Sequence, residues 1–154
     1  MSTSQLQIAI ASLRIRLAEI QGKEEQTEAL IDQFRTQLRR LPRQVVYGAI
    51  SLDASLTSMG EIEERLNDAV ATHRRILEFK KTAVYELEAL ELVGQVDEAR
   101  RSVSSLKQQA QSAGDGDNEE TSAEILRLEK FIADYSKKAE LAITESYQQR
   151  QDSR

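Results

Sequence analysis

Apolar residues in the first part of the chain recur at alternating steps of four and three. Leu6, Ile10, Leu13, Leu17, Ile20, Glu24, Thr27, Ile31, Phe34, Leu38 and Leu41 keep that spacing without a break, and nine of these eleven positions are apolar. A stripe with this period lies on one narrow face of a helix and is buried only when a second helix covers it, which is coiled-coil geometry. The pattern predicts a helix over about 4–41, roughly 50 Å long at the standard rise. Ser4 is placed to cap its start. Pro42 is placed to end it, because the ring disfavours helical backbone at Leu41.

The next stretch reads two ways. Val45, Val46, Tyr47, Ile50, Leu52, Ala54 and Leu56 are spaced so that residues 43–58 suit a short hairpin as well as a helix. No two-residue turn signal divides them, and Ser51 or Asp53 can cap a helix, so a turn over 42–50 followed by helix is the preferred reading. A second seam, Leu66, Val70, His73, Leu77, Lys80, Val84 and Leu87, belongs to a long helix over about 52–111. Beyond it the apolar spacing drifts to Leu90, Val93, Val96, Val103 and Leu106. Gly94 disfavours a helix interior by about 1 kcal/mol and marks a kink or a break.

Leu90 to Ala99, LELVGQVDEA, resembles the turn of a tetratricopeptide repeat. No second copy follows at a spacing of about 34 residues, so no repeat array is expected. A helix, a β-tipped turn over 44–58 and a longer helix is an order similar to that of prefoldin-like subunits. Residues 112–120 read as an acidic loop, and Thr121 with Glu124 as a capping box for a helix over about 122–147. That helix carries Ile125, Leu128, Ile132, Tyr135, Ala139 and Ala142, with Phe131 widening the stripe, and 148–154 form a disordered tail.

The expected fold is all-α, an elongated antiparallel helical bundle or coiled coil with one very long central helix, in a single unit over 1–154. The long helix is too long for either neighbour to cover. The first should pack on its N-terminal half and the last on its C-terminal half, and any seam left over needs another chain.

Composition sharpens this picture by exclusion. The chain has 154 residues, one Pro, no Trp, no Cys and a single His. The net charge of −5 argues against nucleic acid as the main partner, since phosphate binding wants a clear positive excess. The longest apolar run of the first helix, Ile8 to Ala11, is far short of a membrane span, and a cytoplasmic protein is expected. Without Cys, and with His73 alone and no G-x-S-x-G elbow, nucleophilic catalysis lacks its parts. Asp115, Asp117 and Glu119 alternate like the opening of a calcium loop, but Glu120 stands where that loop needs Gly and Leu126 where it needs Glu. No catalytic, cofactor-binding or metal residues are expected, and no small-molecule substrate.

What remains is recognition. Glu24, Thr27, His73 and Lys80 interrupt otherwise apolar seams, and polar layers of this type fix register and partner choice. An antiparallel arrangement can pair Glu24 with Lys80 or His73. Arg35, Arg39, Arg40 and Arg43 form a basic cluster with no acid between Gln33 and Leu52. The leading expectation is a non-enzymatic coiled-coil structural or adaptor protein that mediates homo-oligomerisation or helix-mediated assembly with a protein partner. The alternatives are a small helical chaperone or regulatory subunit with an exposed apolar stripe, and a nucleic-acid or acidic-surface binder acting through Arg35 to Arg43.

Overall fold

The structure, a computed structural model, describes residues 2–112 and 119–152. It is an all-α bundle of three helices, α1 (Thr3–Val46), α2 (Leu52–Ser112) and α3 (Glu119–Asp152), with no strand among the described residues. The stretch 43–58 is therefore helix, turn and helix rather than a hairpin of strands. Asp115 and Asp117, in the middle of the expected acidic loop, lie outside the described residues. Glu119 and Glu120 open α3, where their charge suits the helix dipole.

Local chemistry sets the helix ends, and two of them differ from expectation. Ser2, not Ser4, caps α1: its Oγ accepts from the Gln5 amide at 3.2 Å, while Gln5 Oε1 accepts from the Ser2 amide at 3.1 Å. That reciprocal pair is a capping box built from Ser-x-x-Gln. Pro42 does not end the helix, which runs on to Val46 with the proline inside it. The proline is exposed while its neighbour Leu41 is buried, so its ring and its missing donor lie on the solvent side.

The stop is Gly48, at φ +77°. The Ala49 amide donates to the Gln44 carbonyl at 2.9 Å and the Gly48 amide to the Val45 carbonyl at 3.0 Å. These two bonds close a Schellman motif, which needs a left-handed residue at its corner. Ser51 then caps α2, its Oγ accepting from the Ala54 amide at 3.2 Å. Thr121 lies within α3 rather than at its start, and Glu124 bonds Arg127 instead of reaching back to a cap. The backbone of α3 stays helical through Asp152, five residues beyond the expected end.

Contacts cluster in two compact units, 1–14 with 84–154 and 15–83. The first unit joins the start of α1, the second half of α2, and α3. Its core is Leu6, Ala9, Leu90, Val93, Val96, Ala139 and Ala142, with Ile10, Leu13, Phe131 and Ile143 packed against it. Val93 and Val96 are fully buried, because α2 here has a helix on each of two sides. That double coverage is why the apolar spacing drifts after Leu87: a helix with two neighbours needs a wide buried arc, not a narrow seam. The helix is unbroken through Gly94, which excludes the repeat-type turn. A Cβ added at Gly94 would stand 3.6 Å from Leu6 Cδ2, an ordinary contact.

The second unit is an antiparallel hairpin of α1 and α2. From Leu17 to Leu41 every position of the first seam is buried or half-buried. The facing seam on α2 is Ser55, Met59, Ile62, Leu66, Ala69, His73, Ile76, Lys80 and Ala83, again at steps of four and three. It shares Leu66, His73 and Lys80 with the expected seam but takes Ala69, Ile76 and Ala83 in place of Val70, Leu77 and Val84. Leu77 is instead 41% exposed, while Val70 and Val84 flank the contact half-buried. Buried alanines bring the two backbones close, and the larger residues beside them cover the edges.

Candidate functional site

The polar positions of the hairpin seam meet one another. Lys80 Nζ lies 2.9 Å from Glu24 Oε2 and donates to Oε1 at 3.3 Å. His73 Nε2 lies 3.2 Å from Oε1 of Glu28, a residue one turn along α1 from Glu24. Glu24 is the more enclosed carboxylate and Glu28 the more open one, with side-chain exposures of 14% and 54%. Thr27 is buried beside them, and its hydroxyl donates to the Lys23 carbonyl at 2.8 Å, so it carries no unmet polar group into the seam. Glu24, Glu28 and His73 each bring a ligand-type atom to within 4.8 Å of the other two.

Glu28 has no place in the sequence reading. It sits off the apolar stripe, and only the register of the hairpin brings it to His73. The usable signal was its spacing of four from Glu24, which puts both carboxylates on one helix face.

The basic cluster lies near the other end of this hairpin. Arg35, Arg39, Arg40 and Arg43 are all exposed, and among the described residues none has an acidic group within ion-pair distance. Beyond them come Val46 and Tyr47, 79% and 84% exposed, and across the turn Leu52 and Leu56, also exposed. The arginines and Val46 lie on the last turns of α1, Tyr47 just past its end, and Leu52 and Leu56 on the first turns of α2. On α2, Arg74, Arg75 and Lys81 are exposed, while Lys80 between them turns inward toward Glu24.

In the first unit the predicted residues Ile125, Leu128 and Ile132 are half-buried, while Tyr135 is 41% exposed, its ring centroid 5.0 Å from that of Phe131. Ser136 takes the inward place instead, because the α3 stripe shifts by one residue before Ala139. Lys107 to Glu129 at 2.9 Å and Arg14 to Glu91 at 3.1 Å tie its helices at the surface. Arg127 sits beside Glu124, and its hydrogen bond holds that carboxyl below its ordinary range. A recess of about 180 Å³ beside Tyr85, Leu92, Lys138 and Leu141 is smaller than the usual ligand site. No helix among the described residues is long and apolar enough to cross a membrane. Comparison with known proteins finds no matching family, no matching curated protein and no matching solved structure.

Proposed function

We propose that this chain is a non-catalytic helical adaptor that joins another protein, and that the turn end of its hairpin is the contact surface. The supporting observation is the concentration of exposed apolar side chains there. Val46, Tyr47, Leu52 and Leu56 stand in water within eleven residues of chain, although the seam leading to them is closed by the chain itself. Exposed apolar side chains grouped in this way mark interaction sites more often than scattered ones do, and tyrosine and arginine are favoured at the centres of interfaces. The neighbouring Arg39, Arg40 and Arg43 suit a partner whose surface is acidic around an apolar centre.

The test is a photo-reactive residue in place of Tyr47, introduced in the cells that make the protein. One discrete adduct is expected, weakened when Arg39, Arg40 and Arg43 become glutamate. An adduct of twice the chain mass would identify the partner as a second copy. No adduct at Tyr47, or an equal adduct from the exposed helix position Glu63, would overturn the proposal.

A further inference from the structure

The one histidine of the chain lies opposite two glutamates that can share an ion with it. Glu24 and Glu28 are one turn apart on α1, so both carboxylates project from the same face. His73 comes from α2 on the other side of the seam, and one ligand-type atom from each of the three lies within 4.8 Å of the others. Glu24 and His73 are half-buried while Glu28 is exposed, which gives the cluster a shielded wall and an open side. Among the described residues it is the only such group of three.

We propose that Glu24, Glu28 and His73 bind one divalent transition-metal ion of the zinc class, with water completing the coordination. Ligand atoms at about 2.0–2.2 Å from zinc stand roughly 3.3 Å apart around a tetrahedron. The 3.2 Å between His73 Nε2 and Glu28 Oε1 already fits that spacing. Glu24 has to close the remaining distance by a side-chain rotation. An imidazole nitrogen favours zinc, cobalt or nickel over calcium and magnesium, which prefer oxygen ligands throughout. Two carboxylates with a neutral imidazole also balance the charge of a divalent ion.

Lys80 is the competitor built into the site. Its ammonium holds Glu24 at 2.9 Å, and an ion taking that carboxylate must displace it. The displacement is feasible because the Lys80 side chain is 35% exposed and its flexible stem can carry the charge out to water. Affinity is therefore modest, and removing the ammonium raises it. Because the ligands come from both helices, a bound ion clips α1 to α2 at the most polar stretch of the hairpin, and unfolding of the hairpin should shift to higher temperature as zinc is added. None of this depends on the proposed contact at the turn end.

The test uses the full chain, titrated with zinc chloride in a buffer that does not chelate. With only one histidine present, the imidazole NMR signals report this position and no other. Zinc should move them to saturation at one ion per chain, and millimolar calcium should leave them in place. By calorimetry, His73→Gln and the pair Glu24→Gln with Glu28→Gln should each weaken zinc binding by at least about tenfold, as loss of ligand atoms requires. Lys80→Gln should tighten it by about threefold or more, since it removes the competing charge. Imidazole signals unmoved at millimolar zinc would overturn the proposal, a result that needs no variant to fold. So would zinc binding that persists unchanged in His73→Gln, which marks diffuse attraction to surface carboxylates.

Discussion

The two units are made from the same two long helices and yet bury different things. In the first, a third helix lets α2 bury Leu90, Val93, Val96, Ala99 and Val103, and every buried side chain among the described residues is apolar. In the second, two helices share one seam, and its buried set is Thr27, Ile31, Leu41, Ser55, Ala69 and Ala83, two hydroxyls and two alanines among six. A two-helix contact shields less apolar surface per residue than a three-helix one, so the hairpin takes more of its definition from polar pairing. The first unit holds the larger apolar core, and the second holds the enclosed polar pairs.

The sharpest way to break this contrast is a pair of matched truncations. Leu90→Ala should cost about 2–5 kcal/mol, the range for a fully enclosed leucine. Leu66→Ala, half-buried in the hairpin, should cost about 1–2 kcal/mol. Urea unfolding followed by helicity measures both, and equal losses would erase the distinction. Next in size is Lys80→Ala, which leaves the enclosed Glu24 carboxylate without its cation and should cost about 1–2 kcal/mol. Adding Glu24→Gln should recover most of that loss, because the cost is the enclosed charge left unpaired and not the missing attraction.

Gly94→Ala should stabilise the first unit by about 0.5–1 kcal/mol, because a helix interior favours alanine and the new Cβ meets Leu6 at an ordinary distance. A loss there would show that Leu6 has no room to give. The smallest effect belongs to Glu124→Gln. The lowered carboxyl of Glu124 adds stability that is present at neutral pH and disappears as pH falls through that lowered range. Both partners stand in solvent, so the melting temperature at pH 7 should hardly move.

The seam of α1 was legible because leucine and isoleucine announce it. The seam of α2 runs one position before Val70, Leu77 and Val84: Ala69 and Ala83 are the smaller of their pairs, while Ile76 and Leu77 are alike in size, so apolarity alone does not fix its register. Where α1 and α2 approach closely, at Ala69 and Ala83, the small residue goes to the centre and the valine beside it to the edge. Pro42 misled for a related reason: its local preference is strong, but the side it disrupts faces water. The glycine at 48 and the Ser-x-x-Gln start were both written in the chain as plain cap signals. Glu28 could not be found from the stripe, because its meeting with His73 depends on where the turn sets the register.

That turn hangs on a single left-handed glycine. Any other residue at position 48 raises the energy of the reversal, by about 1 kcal/mol for alanine, without touching the faces that the reversal brings together. With the bend made costly, α1 can run straight into α2, and two such chains can trade arms so that each seam is closed by its neighbour. Gly48→Ala should therefore move mass from one chain toward an exchanged pair as concentration rises, visible by light scattering, with the helical content kept or slightly raised.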